Sequence, residues 1–200
     1  VCAVRIATAL DDQGVIDLKC VGYSVRGKNN LQAMRGMLLH DGKSDIPIGR
    51  SSVDIPDTSP YWDLMTKYDD GKGEVMDAVA LYRKILAESK RRVDIITTGY
   101  VTNIELLLKS EADEYSPLSG IELIKQKCGQ LYIVGGVYPE GYDNNFFFAN
   151  FIFQCINCCT SCDFFSISLN CLDKCNSVIF TLTAIYSNSY YLIAFWNLFC

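Results

Sequence analysis

Basic residues are scarce in this chain. Eighteen Lys and Arg stand against 23 Asp and Glu, a net charge of −5, with a pI near 4.9. That balance argues against a nucleic-acid partner, because binding a phosphate backbone needs clustered cations. No basic stretch followed by an apolar run opens the sequence. No secretory signal is therefore visible, and the expected compartment is the cytoplasm. The charged fraction of 20% beside a hydrophobic fraction of 50% excludes wholesale disorder and a collagen-like fibre. Two hundred residues at 22.4 kDa suffice for one domain, or one domain with an appendage.

Other absences are local. After residue 150 there is no Gly and no Pro, and the only charges are Asp163, Asp173 and Lys174. Before Phe146 there is no Phe. The last fifty residues nevertheless hold 7 of the 10 Cys and 11 of the 24 aromatics. One domain rarely changes composition so sharply, since its elements share one solvated surface. Residues 1–150 and 151–200 are therefore read as separate units.

The first unit alternates strand and helix patterns. Val1 to Leu10 suits a helix already under way, followed by a turn at Asp11–Gly14. Asp17–Val25 is strand-like, rich in β-branched and aromatic residues. Asn30 is placed as the cap of a helix with Leu31, Met34, Leu38 and Leu39 at helical spacing, and Gly42 stops it. Asp45–Gly49 is a short strand, and its Pro47 predicts an edge. Residues 50–73 read as a long loop around Pro60-Tyr61-Trp62, either a flap or a segment anchored by its aromatics. Glu74–Lys90 reads as a helix with Val75, Ala78, Val79, Tyr82, Ile85 and Leu86 on its apolar stripe. A strand at Val93–Thr98, a helix at Thr102–Lys109, a capping box at Ser119-x-x-Glu122 and a strand at Gln130–Gly136 complete the pattern. Such an order predicts an α/β domain with a largely parallel sheet. Ligands bind at the carboxyl ends of such strands, here Thr98-Gly99 and Gly135-Gly136.

Five segments in this order carry a resemblance. They are Val21–Gly27, Asp45–Gly49, Val93–Asn103, Leu131–Gly136 with Tyr138–Gly141, and Asp143–Phe146. Together they resemble inosine/uridine-preferring nucleoside hydrolases over about residues 1–150. The resemblance implies a nucleoside hydrolase-like fold, a mostly parallel sheet flanked by helices, here incomplete. It implies cleavage of the N-glycosidic bond of purine or pyrimidine nucleosides by a water that Ca²⁺ orients and an Asp deprotonates. A hard cation wants oxygen ligands and eases formation of the nucleophile, and an oxocarbenium-like sugar wants carboxylates and amides nearby. By position, Thr98 would offer its carbonyl to Ca²⁺. Asn145 would bind the ribose, Asp143 would stand where the family has a ribose-binding Glu, and Val134 would lie beside the sugar. Asn103 would hold the turn after its strand.

The sequence also departs from the family. Its signature Asp-Thr-Asp-x-Gly-x-Asp-Asp loop, directly before the first helix, does not occur in these 200 residues. The catalytic Asp and most Ca²⁺ ligands would lie in it, so no catalytic residue is assigned and the chain is expected to be inactive or nearly so. Asp11-Asp12 follows the first helix and reads as an exposed turn. His40, the single His, reads as a helix-terminal residue favoured by the dipole. Residues 151–200 do not resemble the family's C-terminal half; they have the composition of accidentally translated AT-rich sequence. Cys155-x-x-Cys158-Cys159-x-x-Cys162 offers a Cys₄ zinc site as another reading. Residues 175–200 carry no charge and reach the length of a membrane span, although Ser187-Asn188-Ser189 would sit mid-bilayer without a cationic flank. A non-catalytic or membrane-tethered interaction protein that keeps part of the hydrolase fold is the alternative function. Self-association is compatible with either.

Overall fold

The computed structural model describes residues 2–24, 26–27, 29–54 and 60–134, and the strands 166–168 and 177–182. The fold is mixed α/β. Its helices are α1 (Cys2–Asp12), α2 (Asn30–His40), α3 (Pro60–Thr66), α4 (Ala78–Glu88), α5 (Thr102–Lys109) and α6 (Gly120–Lys127). Its strands are β1 (Asp17–Tyr23), β2 (Ile48–Arg50), β3 (Val75–Asp77), β4 (Val93–Thr97), β5 (Cys128–Ile133), β6 (Ser166–Ser168) and β7 (Ser177–Leu182). The described strands form one sheet in the order β3-β2-β1-β7-β4-β5-β6. All pairs are parallel except β5 with β6. The alternation expected from sequence thus yields the parallel sheet.

Two apolar layers cover the sheet. On one face Cys20, Val93, Ile95, Leu131 and Ile133 pack with Leu81, Tyr82 and Leu86 of α4, Ile104 and Leu107 of α5, and Leu123 and Ile124 of α6. On the other, Leu18, Val21, Tyr23 and Ile48 pack with Val4 and Ala7 of α1 and Met34, Met37 and Leu38 of α2. Cys20 and Val21 therefore serve opposite faces, as period-two strands require. Leu18 and Val21 share a face because the register with β7 shifts between Leu18 and Cys20.

Local chemistry redraws three expected boundaries. Val75 belongs to a strand rather than to a helical stripe. The Asp77 side chain accepts from the backbone N–H groups of Val79 and Ala80 and starts α4 there. Pro47 does not mark an edge, because β2 lies between β1 and β3. Pro47 precedes the strand, so its missing N–H removes no bond; its carbonyl accepts from Val21, and Ile48 donates to Glu74. Residues 60–66 of the expected loop are helical. This α3 packs on α2 where Gly36 leaves room for the Met65 carbonyl. The capping box of Ser119 and Glu122 forms as expected, and Gly42 ends α2 at φ +70°. Asn30 is the first helical residue of α2, and the cap position falls to Asn29 at φ 66°, whose side chain donates to Asp63.

At the amino edge, Asp94 sits in an irregular register of β4 and accepts from the Gln130 backbone N–H at 2.8 Å. Burial pushes its carboxyl up to about 6, against the opposing pull of that N–H. The folded state therefore holds a proton that the unfolded chain, at 3.8, has lost. Through this carboxyl alone, stability is expected to fall as pH rises from about 4 to about 6 and to level off above. Asp94→Asn keeps an acceptor for Gln130 and removes the charge. It is expected to raise stability at pH 7 by about 1–2 kcal/mol, discounted for partial exposure, and to erase that slope. Urea titrations at pH 4 and pH 7 check both.

Candidate functional site at the carboxyl edge of the sheet

Parallel pairing brings the carboxyl ends of β1, β2, β3, β4, β5 and β7 to one edge. The chain places Ser24, Ser51, Thr98 and Val134 just beyond β1, β2, β4 and β5. Thr98 and Val134, taken from the sequence as metal and sugar contacts, end neighbouring strands. The Val134 N–H donates to the carbonyl of Thr97 at 2.9 Å, one residue before Thr98. Both side chains are half-buried. Asp143 and Asn145 lie outside the described residues, as do Gly135 and Gly136.

Beside them is a buried polar group that the sequence did not disclose. The Ser24 carbonyl accepts two hydroxyls, from Ser51 at 2.8 Å and from Thr102 at 2.7 Å. Asn103 Nδ2 donates to the Tyr23 carbonyl at 3.1 Å and, at 3.4 Å, to the Tyr82 hydroxyl. Asn103 thus holds the end of β1 from the first turn of α5, across β7, rather than the turn after its own strand. Burial holds the Tyr82 phenol well above its ordinary range, so it stays protonated. Gly22 admits that ring, since a Cβ there would meet the Tyr82 hydroxyl.

Three buried side-chain atoms among the described residues have no hydrogen-bond partner: Ser24 Oγ, Thr97 Oγ1 and Asn103 Oδ1. All three belong to residues at this edge. Buried polar atoms are almost always paired with protein, water or ligand. Ser24 follows β1, Thr97 ends β4 and Asn103 lies in the first turn of α5. No spacing rule announces such a group, because a Ser or Thr after a strand has no periodic signature.

The carboxylates near this edge are already engaged. Arg26 donates to Asp54 through two bonds of 2.7 and 2.6 Å, and Asp77 caps α4. Among the described residues no three of His, Cys, Asp and Glu come together to hold a metal. The described part of the edge thus presents backbone carbonyls, hydroxyls and an amide. Asp11 and Asp12 lie elsewhere, at the end of α1, where both pair with Lys43 at 2.5 and 2.8 Å. His40 ends α2 beside Asp41 and stacks edge-on against Tyr68. The backbone of Pro60-Tyr61-Trp62 begins α3. The Cys155–Cys162 pattern lies outside the described residues.

No helix among the described residues is long and apolar enough to cross a membrane. Compared with known proteins, the chain matches no family model, no curated protein and no solved structure.

Proposed function

We propose that the chain carries strand ends of a nucleoside hydrolase-like ribose site and binds the sugar of a nucleoside without turning it over. The observation that supports this reading is the adjacency of Thr98 and Val134 at neighbouring parallel strand ends. The unpartnered Ser24, Thr97 and Asn103 atoms beside them add hydrogen-bonding capacity suited to sugar hydroxyls. Asp143 and Asn145, eleven residues or fewer beyond Val134 in the chain, would complete the polar contacts. The partner is then a nucleoside, and a cytoplasmic location and an N-ribohydrolase ancestry belong to the same reading.

Turnover asks for more than this edge offers. Water must lose a proton as the glycosidic bond breaks, and a carboxylate must take it. Asp54 and Asp77 are bound to Arg26 and to the α4 amides. Ca²⁺ is the ion the resemblance implies, and its carboxylate ligands would have to come from outside the described residues. Incubating the chain with inosine or uridine and Ca²⁺ and measuring free base tests this. No release above the uncatalysed rate is expected. Robust turnover would mean that a carboxylate of this chain serves as the base.

A further inference from the structure

We propose that His40 is a proton-operated clasp, gripping α1 while its ring is neutral and releasing α1 when the ring takes up a proton. The device does not depend on what the carboxyl edge binds. It sits on a polar seam between α1 and the end of α2. Arg5, Thr8 and Asp11 recur at three-residue spacing along one side of α1. Arg5 pairs with Asp41, the Thr8 hydroxyl donates to the other Asp41 oxygen at 2.6 Å, and Asp11 accepts from Lys43 at 2.5 Å. Asp11 stays charged: burial pushes its carboxyl up, but the Leu18 N–H and Lys43 outweigh burial and hold it below its ordinary value. His40 is the single His, and His is the side chain that ordinarily changes charge between about pH 5 and about pH 8.

One ring nitrogen carries the device. His40 Nδ1 lies 3.0 Å from Arg5 Nη1 and 3.1 Å from Asp41 Oδ1. A guanidinium only donates and a carboxylate only accepts, so a single nitrogen serves one of them at a time. Bare, Nδ1 accepts from Arg5 and ties the end of α2 to α1. Protonated, it donates to Asp41, the next residue in the chain, and the contact to α1 is lost. Asp41 Oδ1 is also the oxygen that Arg5 pairs with, so the imidazolium competes with Arg5 for it. The groups facing the ring are Arg5 from α1, Asp41 from the end of α2, and Tyr68 with Lys67 from the segment after α3. Tyr68 meets the ring edge-on with centroids 5.1 Å apart, and the Lys67 ammonium lies 4.8 Å from the centre of the same phenol. A proton on His40 therefore adds a third cation beside Arg5 and Lys67, against Asp41 alone among these groups. The Asp41 side chain is buried at 3% exposure whereas Arg5 and His40 are half-exposed, so Asp41 stays and Arg5 gives way.

Histidine-selective nitrogen spectra and hydrogen exchange on the full chain test this together. At about pH 8 the ring is expected as the Nε2–H tautomer, with Nδ1 bare. Between about pH 8 and about pH 5, protection of Ile6–Leu10 in α1, taken relative to intrinsic exchange at each pH, is expected to fall by about three- to fivefold. That is the low end for one hydrogen bond, because Arg5 and His40 are half-exposed. His40→Gln keeps a neutral acceptor for Arg5 and takes up no proton, so its α1 protection is expected to stay level over that range. The Asp94 contribution is common to both chains, and their difference isolates His40. An Nδ1–H ring at the alkaline end, equal pH dependence in the two chains, or protection that rises as pH falls overturns the clasp.

Discussion

Arg83→Ala is expected to lower the unfolding free energy by about 2–4 kcal/mol, through the void and the lost donor rather than through a stranded charge, since Asp113 is part-exposed. Arg83 is the largest fully buried side chain of the described residues, at 2% exposure. Its guanidinium donates to Asp113 Oδ2 at 2.7 Å and Oδ1 at 3.0 Å, to Ser110 Oγ at 2.8 Å, and to the carbonyls of Ser116 and Leu118 at 3.1 and 2.8 Å. Four groups of the 110–118 segment thus converge on one residue of α4. Alanine takes the donor from the Leu118 carbonyl, the Ser110 hydroxyl and Asp113 Oδ2, while Asp113 Oδ1 and the Ser116 carbonyl keep backbone donors, and it opens a void beneath them. Arg83→Lys keeps the charge but offers one ammonium where a planar fork is used, and is expected to lose about half as much. The pH profile separates this from plain loss of packing. Hydrogen bonding to Arg83 holds the Asp113 carboxyl below its ordinary 3.8. Its folded value is depressed, so its contribution is complete above the unfolded value and lost as pH falls through the folded one. The parent chain is expected to show that acid-side loss, and Arg83→Ala to lack it. Urea unfolding from pH 3 to pH 7 measures both.

Gly120→Ala acts on the same latch from the other side. In most helices Gly→Ala is stabilising, by up to about 1 kcal/mol. Here it is expected to cost about 2–3 kcal/mol, as overpacking of a tight contact does. A Cβ on Gly120 would fall inside the contact shell of the Leu107 carbonyl oxygen, and 2.6 Å from Ser110 Oγ. The Gly120 N–H donates to the Ser110 carbonyl at 2.7 Å, while the Ser110 hydroxyl donates to Leu107. The end of α5 and the start of α6 are thus joined backbone to backbone, with Arg83 on the same serine. Neither backbone can give way without breaking those bonds. Because both substitutions meet at Ser110, their effects should not add. A Gly120→Ala chain as stable as its parent would mean that the two helices do not approach this closely.

The features legible in the sequence are those decided by neighbours in the chain. The capping box at Ser119, the stop at Gly42 and the helix at Thr102–Lys109 each depend on a few adjacent residues, and each forms. Where two local signals compete, the stronger bond decides: Val75 fits a helical stripe, but Asp77 caps the amides behind it. Pro47 misleads because its cost depends on whether its nitrogen faces a partner, which only tertiary pairing settles. The place of Ser177–Leu182 is the extreme case. Its partners lie more than 80 residues away on β4 and about 160 away on β1, and nothing within the segment names them. The candidate site divides in the same way. Thr98 is legible as a strand end, because parallel strands end on one edge, whereas Val134 rests only on the family resemblance. Ser24, Ser51 and Thr102 are not legible, because their bonds join loops that only the folded sheet brings together.

The proposed sugar-binding edge includes the strand ends at Thr98 and Val134. The most direct test is a titration of the isotopically labelled full chain with inosine, followed through backbone amide resonances. The account predicts saturable shifts at Thr98 and Val134 and at Ser24 and Asn103, with β6 and the amino-edge pair Asp94 and Gln130 unmoved. Saturable shifts confined to other surfaces, or none at millimolar inosine, would contradict it.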